Sequence, residues 1–221
     1  MKLILSIVIF IIIISIVIID YKIIYCGSKF TYPYNKKMAY ISSWDDTNNI
    51  NSFLRIIELY DHFNLEIPLT IFLNTEELND DNIAKYKYLL AKSKVKHTIE
   101  SHSVNHPKNP NNIREYIQSQ RKIRKIFGQN YAKTYCYPFG IISKKYEIKN
   151  LIKKTYIAAR TTKNGYVHRR NLYDLHCLAI EDINQSHIIY AINGGKTIIT
   201  YGHGIKGIGG WNPINENDFI S

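Results

Sequence analysis

The sequence predicts an α/β domain built on a parallel β-sheet, either open or closed into a barrel, behind a separate apolar segment at the N-terminus. Two observations predict the sheet. Short apolar runs of strand length alternate along the chain with longer stretches of helical period, which is typical of βαβ units. Polar residues with useful chemistry follow several of the short runs, and active sites in such folds lie at the carboxyl ends of the strands.

The apolar segment occupies the first 25 residues. Residues 3–19 contain no charge, and as a helix rising ~1.5 Å per residue they would cover roughly 25 Å, close to the thickness of a bilayer core. The run has no polar face, whereas a core helix would show one. We therefore predict a single-pass membrane anchor over residues 1–25, with its orientation left open. The alternative is a cleaved signal peptide, because Lys2 precedes the run and small residues follow it at Cys26-Gly27-Ser28.

Residues 26–37 predict a linker, because glycine, serine and proline interrupt the periodicity there. Residues 38–221 then form one folded domain, in keeping with a chain that is 45% hydrophobic and 21% charged. The formal net charge is +11, but the lysines are spread along the chain and do not interleave with aromatic residues, so we expect no nucleic-acid partner. Three cysteines are too few for a disulfide framework or a thiolate zinc site.

Seven strands are predicted, over residues 38–43, 68–73, 95–100, 131–137, 156–159, 172–180 and 196–201. Four helices lie between them, over residues 50–60, 80–92, 112–128 and 143–154. Asp80 or Asp81 is the expected N-cap of the second helix, and Asn111 or Asn112 that of the third, which Gly128 ends.

Polar residues that can take part in catalysis or metal binding cluster at the ends of four of the predicted strands. The four segments are Trp44-Asp45-Asp46, Glu100 to Pro107, Cys136-Tyr137-Pro138-Phe139-Gly140, and Tyr201-Gly202-His203-Gly204. Each segment alone is weak evidence for a site. Their shared placement at strand ends is informative, because the carboxyl ends of parallel strands meet at one edge of the sheet or one mouth of the barrel.

Two histidines and a neighbouring carboxylate predict a metal site. His102 and His106 are four residues apart, so on a helical turn both imidazoles would project from one face. Two imidazoles and one carboxylate can hold zinc or a similar divalent ion and leave positions open for water and substrate. Asp45 or Asp46 could supply the carboxylate. The alternatives are a solvated helix face for the histidines and a helix N-cap for the aspartates.

The same residue types suit the hydrolysis of an amide. A bound divalent metal can bring the pKa of water near ~7 and polarise the acyl oxygen. A carboxylate beside a metal ligand can take the proton of the attacking water, and a histidine can protonate the leaving amine. His203 is the candidate donor, since we expect the flanking Gly202 and Gly204 to let a ligand approach it. The alternative is a structural histidine at a strand end.

Three segments resemble successive motifs of the polysaccharide deacetylase family, carbohydrate esterase family 4. They are Trp44-Asp45-Asp46, Ser101-His102-x-x-x-His106-Pro107 and Tyr137-Pro138-Phe139-Gly140, in the family's order and with plausible spacing. Leu69-Thr70-Ile71-Phe72 is similar to the family's second strand, and Gly202-His203 to its final histidine motif. The resemblance runs from about Met38 to the C-terminus and implies a distorted (β/α) barrel with about seven parallel strands.

The resemblance also implies a role for each matching residue. It implies that Asp46, His102 and His106 bind a divalent metal, most simply zinc. It implies Asp45 as general base, His203 as general acid and the backbone N–H of Phe139 as a donor to the oxyanion. Tyr137, Pro138 and Trp211 are the expected substrate-binding residues, since sugar rings stack on aromatic side chains. The implied reaction is the removal of N-acetyl groups from an N-acetylglucosamine-containing polysaccharide, chitin-like or peptidoglycan-like.

One position departs from the family pattern. Many members carry an arginine two residues before the proline of the third motif, where it orients the catalytic carboxylate, and here that residue is Cys136. We expect that Cys136 cannot pair with Asp45. Arg160, at the end of the next predicted strand, is predicted to take over the role through two parallel hydrogen bonds to Asp45. The alternative is a surface arginine.

Two other functions remain open from the sequence. A metal-dependent amidohydrolase of small N-acyl or ureide compounds would use the same fold and metal. A membrane-tethered glycan-binding module without activity would be marked by loss of the base or of a metal ligand, and all of these residues are present here.

Overall fold

Seven parallel strands close into a barrel in the computed structural model, which describes residue 32, residues 35–167 and residues 171–220. The strands are β1 Ala39–Asp45, β2 Leu69–Leu73, β3 Thr98–Ser101, β4 Thr134–Cys136, β5 Ala158–Asn164, β6 Leu175–Ala179 and β7 Thr197–Gly202. Each pairs with the next, and β7 pairs with β1 to close the barrel. The predicted α/β fold with a parallel seven-stranded barrel is confirmed.

Within the described residues, six α-helices accompany the strands. They are α1 Ile50–His62, α2 Asp80–Lys92, α3 Ile113–Phe127, α4 Tyr146–Thr155, α5 Gln185–Gly194 and α6 Glu216–Ile220. The first four correspond to the predicted helices, whereas α5 was not predicted. Its apolar residues Ile189 and Tyr190 are exposed, so the segment lacks the separation of apolar and polar faces that indicates a helix.

Asparagine side chains cap three of the helices, and the third of them is Asn184 at the start of α5. The side chain of Asn79 accepts a hydrogen bond from the N–H of Asn82 at 2.8 Å, so Asn79 caps α2 and the prediction of Asp80 or Asp81 was wrong. Asn112 caps α3 by accepting from the N–H of Arg114 at 3.1 Å. Gly128 follows α3 with a φ of 113°, as predicted for a C-terminal glycine.

The packing of α1 on β1 decides which side chains of β1 face the barrel interior. Trp44 is buried and its ring lies 6.2 Å from that of Phe53 on α1. Since successive residues of a strand face opposite sides, an outward Trp44 turns Asp45 inward. Asp45 is buried, and it ends β1 at the mouth formed by the carboxyl ends of the strands.

The predicted anchor, residues 1–25, lies outside the described residues, as does most of the predicted linker. Within the described part of the chain, no helix is both long and apolar enough to span a bilayer. The hydroxyl of Tyr32 is 3.0 Å from Oγ1 of Thr197, the first residue of β7. Tyr32 therefore lies at the end of the barrel opposite to the mouth.

Candidate active site

A cavity of about 450 Å³ opens at the carboxyl ends of the strands, a size typical of small-molecule sites. It is lined by Asp45, Asp46, His102, His106, Tyr137, Phe139, Thr162, Tyr201, His203 and Trp211. The structure thus brings together residues from all four of the strand-end segments. Arg160 and Pro138 are not among the lining residues, and both are buried.

Asp46 leaves β1 in an unusual backbone conformation, with a φ of 76°. Its N–H donates to the carbonyl of Phe72 at 3.1 Å, and its Oδ1 accepts from Nδ2 of Asn74 at 3.3 Å. Its side chain makes no capping hydrogen bond to the 3-10 turn Thr47–Asn49 that follows. The helix-cap alternative therefore does not hold for Asp46, and the carboxylate faces the cavity.

The two histidines lie on a loop after β3 and not on a helical turn, so that part of the prediction was wrong. Ser103 and His106 both have positive φ, 75° and 52°. The Oγ of Ser103 accepts from the N–H of His106 at 3.0 Å and closes the loop. The rings of His102 and His106 still converge, with centroids 4.7 Å apart.

The hydrogen bonding of His102 fixes its tautomer. Its Nδ1 lies 2.9 Å from the backbone oxygen of Cys136, and a carbonyl oxygen can only accept, so Nδ1 carries the proton. Nε2 is therefore the ring nitrogen that can offer a lone pair to a ligand, and it lies 3.9 Å from Oδ1 of Asp46, too far for a hydrogen bond. This is the arrangement that orients metal-ligating histidines in general.

The donor set of Asp46, His102 and His106 fits a divalent metal. One ligand atom from each residue lies within 4.8 Å of the other two, and a carboxylate with two imidazoles suits zinc or a similar ion. A second group of possible ligand atoms also lies within 4.8 Å of one another, and it consists of Asp45, His102 and Cys136. That second set is disfavoured because Arg160 already contacts the carboxylate of Asp45 and its positive charge repels a cation.

Asp45 and Arg160 form a buried ion pair in which Nη2 of Arg160 donates to Oδ1 of Asp45. The two parallel bonds predicted for this pair are not formed. Nη1 of Arg160 instead lies 3.5 Å from the carbonyl of Thr161, and Nε is buried without a partner among the described residues. Arg160 is also the third residue of β5 and not its last, because the strand continues beyond the predicted end.

The surroundings of Asp45 keep its carboxylate charged. Burial raises the pKa of Asp45, but the positive charge of Arg160, together with His102 and His203, outweighs burial and lowers the pKa to about 2. Asp45 in turn raises the pKa of Arg160 against the effect of burial. The guanidinium lies over two rings, 4.9 Å from the centroid of Phe72 and 5.5 Å from that of Tyr201, a favourable setting for a buried cation.

Cys136 contacts the other oxygen of the same carboxylate. Its Sγ lies 3.7 Å from Oδ2 of Asp45 and donates to it, so the expectation that Cys136 cannot pair with Asp45 was wrong. Burial raises the pKa of the Cys136 thiol well above its usual range, which keeps the S–H proton available for this weak bond. Cys136 and Arg160 are register partners on β4 and β5.

The third motif forms a tight turn at the cavity wall. Phe139 has a φ of 54°, and Gly140 has a φ of 67° and lies so near β5 that a Cβ there would be 2.2 Å from Oγ1 of Thr162. The hydrogen bonds of the turn use the N–H groups of Gly140 and Ile141, so neither consumes the N–H of Phe139. The ring of Phe139 packs 4.5 Å from that of His106.

His203 lines the cavity beside the exposed Trp211, and their ring centroids are 5.2 Å apart. Glycine was predicted on both sides of His203 to let a ligand approach, but the structure gives another reason for glycine at these two positions. A Cβ on Gly202 would lie 2.7 Å from the ring of Trp44, and one on Gly204 would lie 2.1 Å from the carbonyl oxygen of Gly209. These glycines are required by packing.

Thr162 also lines the cavity and was not predicted from the sequence. It lies two residues after Arg160 on β5, and residues two apart on a strand share a face. The two-residue alternation of a strand predicts that Thr162 faces the same side as Arg160. With Arg160 facing the barrel interior, Thr162 is then expected at the mouth.

The profile of the polysaccharide deacetylase family matches residues 32–157, more than half of the chain. This chain belongs to the polysaccharide deacetylase family. The matched segment includes the first three motifs, whereas His203 and Trp211 lie beyond it. No curated protein matches the sequence.

Solved structures share the fold at low sequence identity. The Streptococcus pyogenes deacetylase PplD in complex with acetate is 18% identical, with a TM-score of 0.55 over 71% of this chain and 70% of that one. A Bacillus cereus polysaccharide deacetylase is 22% identical, with a TM-score of 0.51 over 62% and 45%. A CE4 family pseudoenzyme from Bacillus anthracis is 16% identical, with a TM-score of 0.51 over 76% and 55%. This chain therefore spans about half the length of the two Bacillus proteins.

Proposed function

We propose that this protein is a metal-dependent deacetylase that removes N-acetyl groups from an N-acetylglucosamine-containing polysaccharide, chitin-like or peptidoglycan-like. One observation carries the proposal. The possible ligand atoms of Asp46, His102 and His106 converge within 4.8 Å, on a cavity that also contains Asp45 and His203. A ligand set, a candidate base and a candidate acid thus lie in one cavity.

In the proposed mechanism, Asp46, His102 and His106 hold zinc. When bound there, the ion would lower the pKa of water and polarise the acyl oxygen of the amide. His102 suits this role because its Nδ1 proton is engaged by the carbonyl of Cys136 at 2.9 Å, which directs the free Nε2 toward Asp46.

Asp45 is the proposed general base. Its carboxylate is buried beside the proposed ligands and stays ionised because Arg160 lowers its pKa. It would accept the proton of the attacking water, while Arg160 and Cys136 hold its two oxygens in place. A positioned base of this kind contributes roughly 100- to 10,000-fold to a rate.

His203 and Phe139 complete the proposed set. His203 would donate a proton to the leaving amine, from the side of the cavity where Trp211 packs against its ring. The N–H of Phe139 would donate to the developing oxyanion, since the turn Pro138–Gly140 does not use it in its own hydrogen bonds.

The mouth of the cavity suits a sugar substrate. Trp211 is 71% exposed and Phe139 is 48% exposed, and both line the cavity. An exposed aromatic face of this kind can stack on the apolar face of a pyranose ring, as expected for Trp211. Tyr137 was expected to do the same, but it is only 2% exposed and its hydroxyl donates to the carbonyl of Tyr173, so it contributes to the cavity wall and is not a stacking surface. The streptococcal relative was solved with acetate, which is the product that the proposed reaction would release.

We further propose that residues 1–25 anchor the domain to a membrane, that residues 26–37 are a linker and that residues 38–221 are the catalytic domain. The uncharged run over residues 3–19 supports the anchor. In that arrangement the chain would enter the barrel at the end marked by Tyr32, opposite to the mouth. The active site would then face away from the attachment point, toward a surface glycan.

Acetate release by the full-length protein tests the proposal. N-Acetylglucosamine oligomers of the chitin and peptidoglycan types should release acetate when zinc is supplied, and the His106→Ala variant should release none. Release from small N-acyl or ureide compounds alone would favour the small-amide alternative. Zinc binding and glycan binding without any release would favour the inactive binding module.

A further inference from the structure

We propose that Glu115, on the first turn of α3, is a positioning residue for the metal site. It holds the loop that carries His106 and acts through that loop, without contacting the metal or the substrate. The inference rests on the proposed metal site, and it adds a residue that none of the recognised motifs contains.

Three hydrogen bonds join Glu115 to the loop. Its Oε2 accepts from the backbone N–H of Val104 and from that of Asn105, each at 2.9 Å. Its Oε1 accepts from Nδ2 of Asn105 at 3.2 Å. Glu115 is buried, with 5% of its surface exposed, so these loop donors replace the water that a carboxylate would otherwise bind.

The loop requires such a partner because its backbone is strained on both sides of these two residues. Ser103 before them has a φ of 75° and His106 after them has a φ of 52°. Side chains other than glycine rarely adopt this region, and they stay there only when their surroundings hold them. The Glu115 carboxylate fixes the two N–H groups between the strained residues, and so fixes the direction in which His106 projects.

The opposite side of the loop is held by the segment after β2. The carbonyl of Ser103 accepts from the N–H of Thr75 at 3.1 Å, and the carbonyl of Val104 accepts from the N–H of Glu76 at 3.0 Å. Lys122, also on α3, donates to the carbonyl of Thr75 at 2.6 Å. Helix α3 therefore binds two neighbouring segments. Glu115 holds the loop that carries His106, and Lys122 holds the segment after β2 that is bonded to that loop.

Helix α3 has an N-cap other than Glu115. The N-cap of α3 is Asn112, whose side chain accepts from the N–H of Arg114. A glutamate at the third helical position often reaches back to the N–H of the cap residue. Here the carboxylate reaches outward to a loop ten residues earlier, which separates its effect on the loop from the initiation of the helix.

Loss of this carboxylate should weaken zinc binding. Residues that hold metal ligands in place without touching the metal typically contribute about 10- to 100-fold to metal affinity. Glu115→Ala should therefore raise the Kd for zinc by about that factor. Glu115→Gln should have an intermediate effect, because the amide keeps one acceptor oxygen but presents an NH2 group to the donors of Asn105.

The test is a zinc titration of the metal-free, full-length protein against a competing chelator. Glu115→Ala and Glu115→Gln are compared with wild type and with Asn112→Ala, which removes the cap of the same helix but no contact to the loop. Asn112→Ala should lower the Tm of the metal-free protein and leave the Kd for zinc unchanged. Amide hydrogen exchange at Val104 and Asn105 should accelerate in Glu115→Gln even without zinc.

The zinc titration distinguishes failure of the Glu115 positioning role from failure of the proposed metal-dependent function. Zinc affinity in both Glu115 variants within about twofold of a zinc-binding wild type would overturn the positioning role and leave the metal site standing. An equal loss of affinity in Asn112→Ala would also overturn it, because helix stability would then be the cause. A wild type that binds no zinc would overturn the proposed function itself. If Glu115→Ala does not fold, Glu115→Gln decides.

Discussion

Cys136 on β4 and Arg160 on β5 are register partners, and both reach the carboxylate of Asp45. Nη2 of Arg160 donates to Oδ1, and Sγ of Cys136 lies 3.7 Å from Oδ2. Asp45 thus has one donor on each oxygen, supplied from two neighbouring strands at the same height in the barrel. Two side chains from neighbouring strands therefore hold one buried carboxylate.

The first prediction concerns the histidine ligands. His102→Ala or His106→Ala should abolish zinc retention and acetate release together, because each removes one of three ligands. Zinc content per chain and acetate release are the measurements. His62→Ala, at the exposed end of α1, is the matched control and should change neither. Full zinc retention in both site variants would contradict the assignment.

The second prediction separates the two aspartates. Asp45→Asn should retain zinc but reduce turnover by about 100- to 10,000-fold, since it removes the base and leaves the ligands intact. Asp46→Asn should lose zinc, because a neutral amide is a poor replacement for a carboxylate ligand. Zinc content and kcat are measured on both variants. Zinc loss in Asp45→Asn with retention in Asp46→Asn would mean that the two roles are reversed.

Much of the barrel and of its mouth could be predicted from the sequence, because both depend on local patterns. The strands are short apolar runs, and the cavity residues Asp45, Asp46, His102 and His106 lie at the end of two of these strands or within the five residues that follow. Parallel strands gather their carboxyl ends regardless of the details of packing. The sequence therefore predicts which residues meet, without giving the contacts between them.

The contacts that were missed depend on three-dimensional register. The bond from Cys136 to Asp45 joins residues that are 91 positions apart, and no local pattern encodes it. The loop after β3 was taken for a helical turn because spacing alone cannot reveal positive φ at Ser103 and His106. Glu115 looks like an ordinary first-turn glutamate in the sequence, and only the folded loop shows what its carboxylate holds.

The third prediction tests the membrane anchor. Full-length protein should remain in the membrane fraction after a carbonate wash, because the uncharged run over residues 3–19 is long enough to insert. Replacing Ile11 and Ile12 with lysine should release the protein, since a charge near the centre of a membrane helix costs roughly 2.5–3.5 kcal/mol. Recovery of a shortened, freely soluble wild-type form would favour a cleaved signal peptide instead.

The fourth prediction concerns the thiol. Cys136→Ala removes the donor to Oδ2 of Asp45 and should lower kcat by about 2- to 10-fold, the range expected for one modest hydrogen bond. Cys136→Ser keeps a donor and should stay closer to wild type. Equal losses of kcat in Cys136→Ala and Cys136→Ser would contradict a role for the donor.

The fifth prediction concerns the arginine. Arg160→Ala leaves the Asp45 carboxylate buried without its cation, and breaking a buried pair in this way costs about 3–5 kcal/mol of stability. Turnover should fall with it, while zinc content per folded chain stays unchanged. Arg160→Lys should lose turnover nearly as badly, because an ammonium cannot serve Asp45 and the carbonyl of Thr161 from one planar group. Activity of Arg160→Ala within about twofold of wild type would contradict the role.

An exchange of the two register partners tests the same role more sharply. Arg160→Cys alone should behave like Arg160→Ala. Adding Cys136→Arg returns a guanidinium to Asp45 from the adjacent strand and restores the summed side-chain volume, so the double variant should recover turnover and Tm relative to Arg160→Cys. The pair Arg160→Cys with Cys136→Ser, which contains no guanidinium, should not recover. Because the two positions are neighbours, their effects should be strongly non-additive in a double-mutant cycle. Additive losses in the exchanged variant would show that Asp45 requires the arginine at position 160 itself, where its guanidinium lies over the rings of Phe72 and Tyr201.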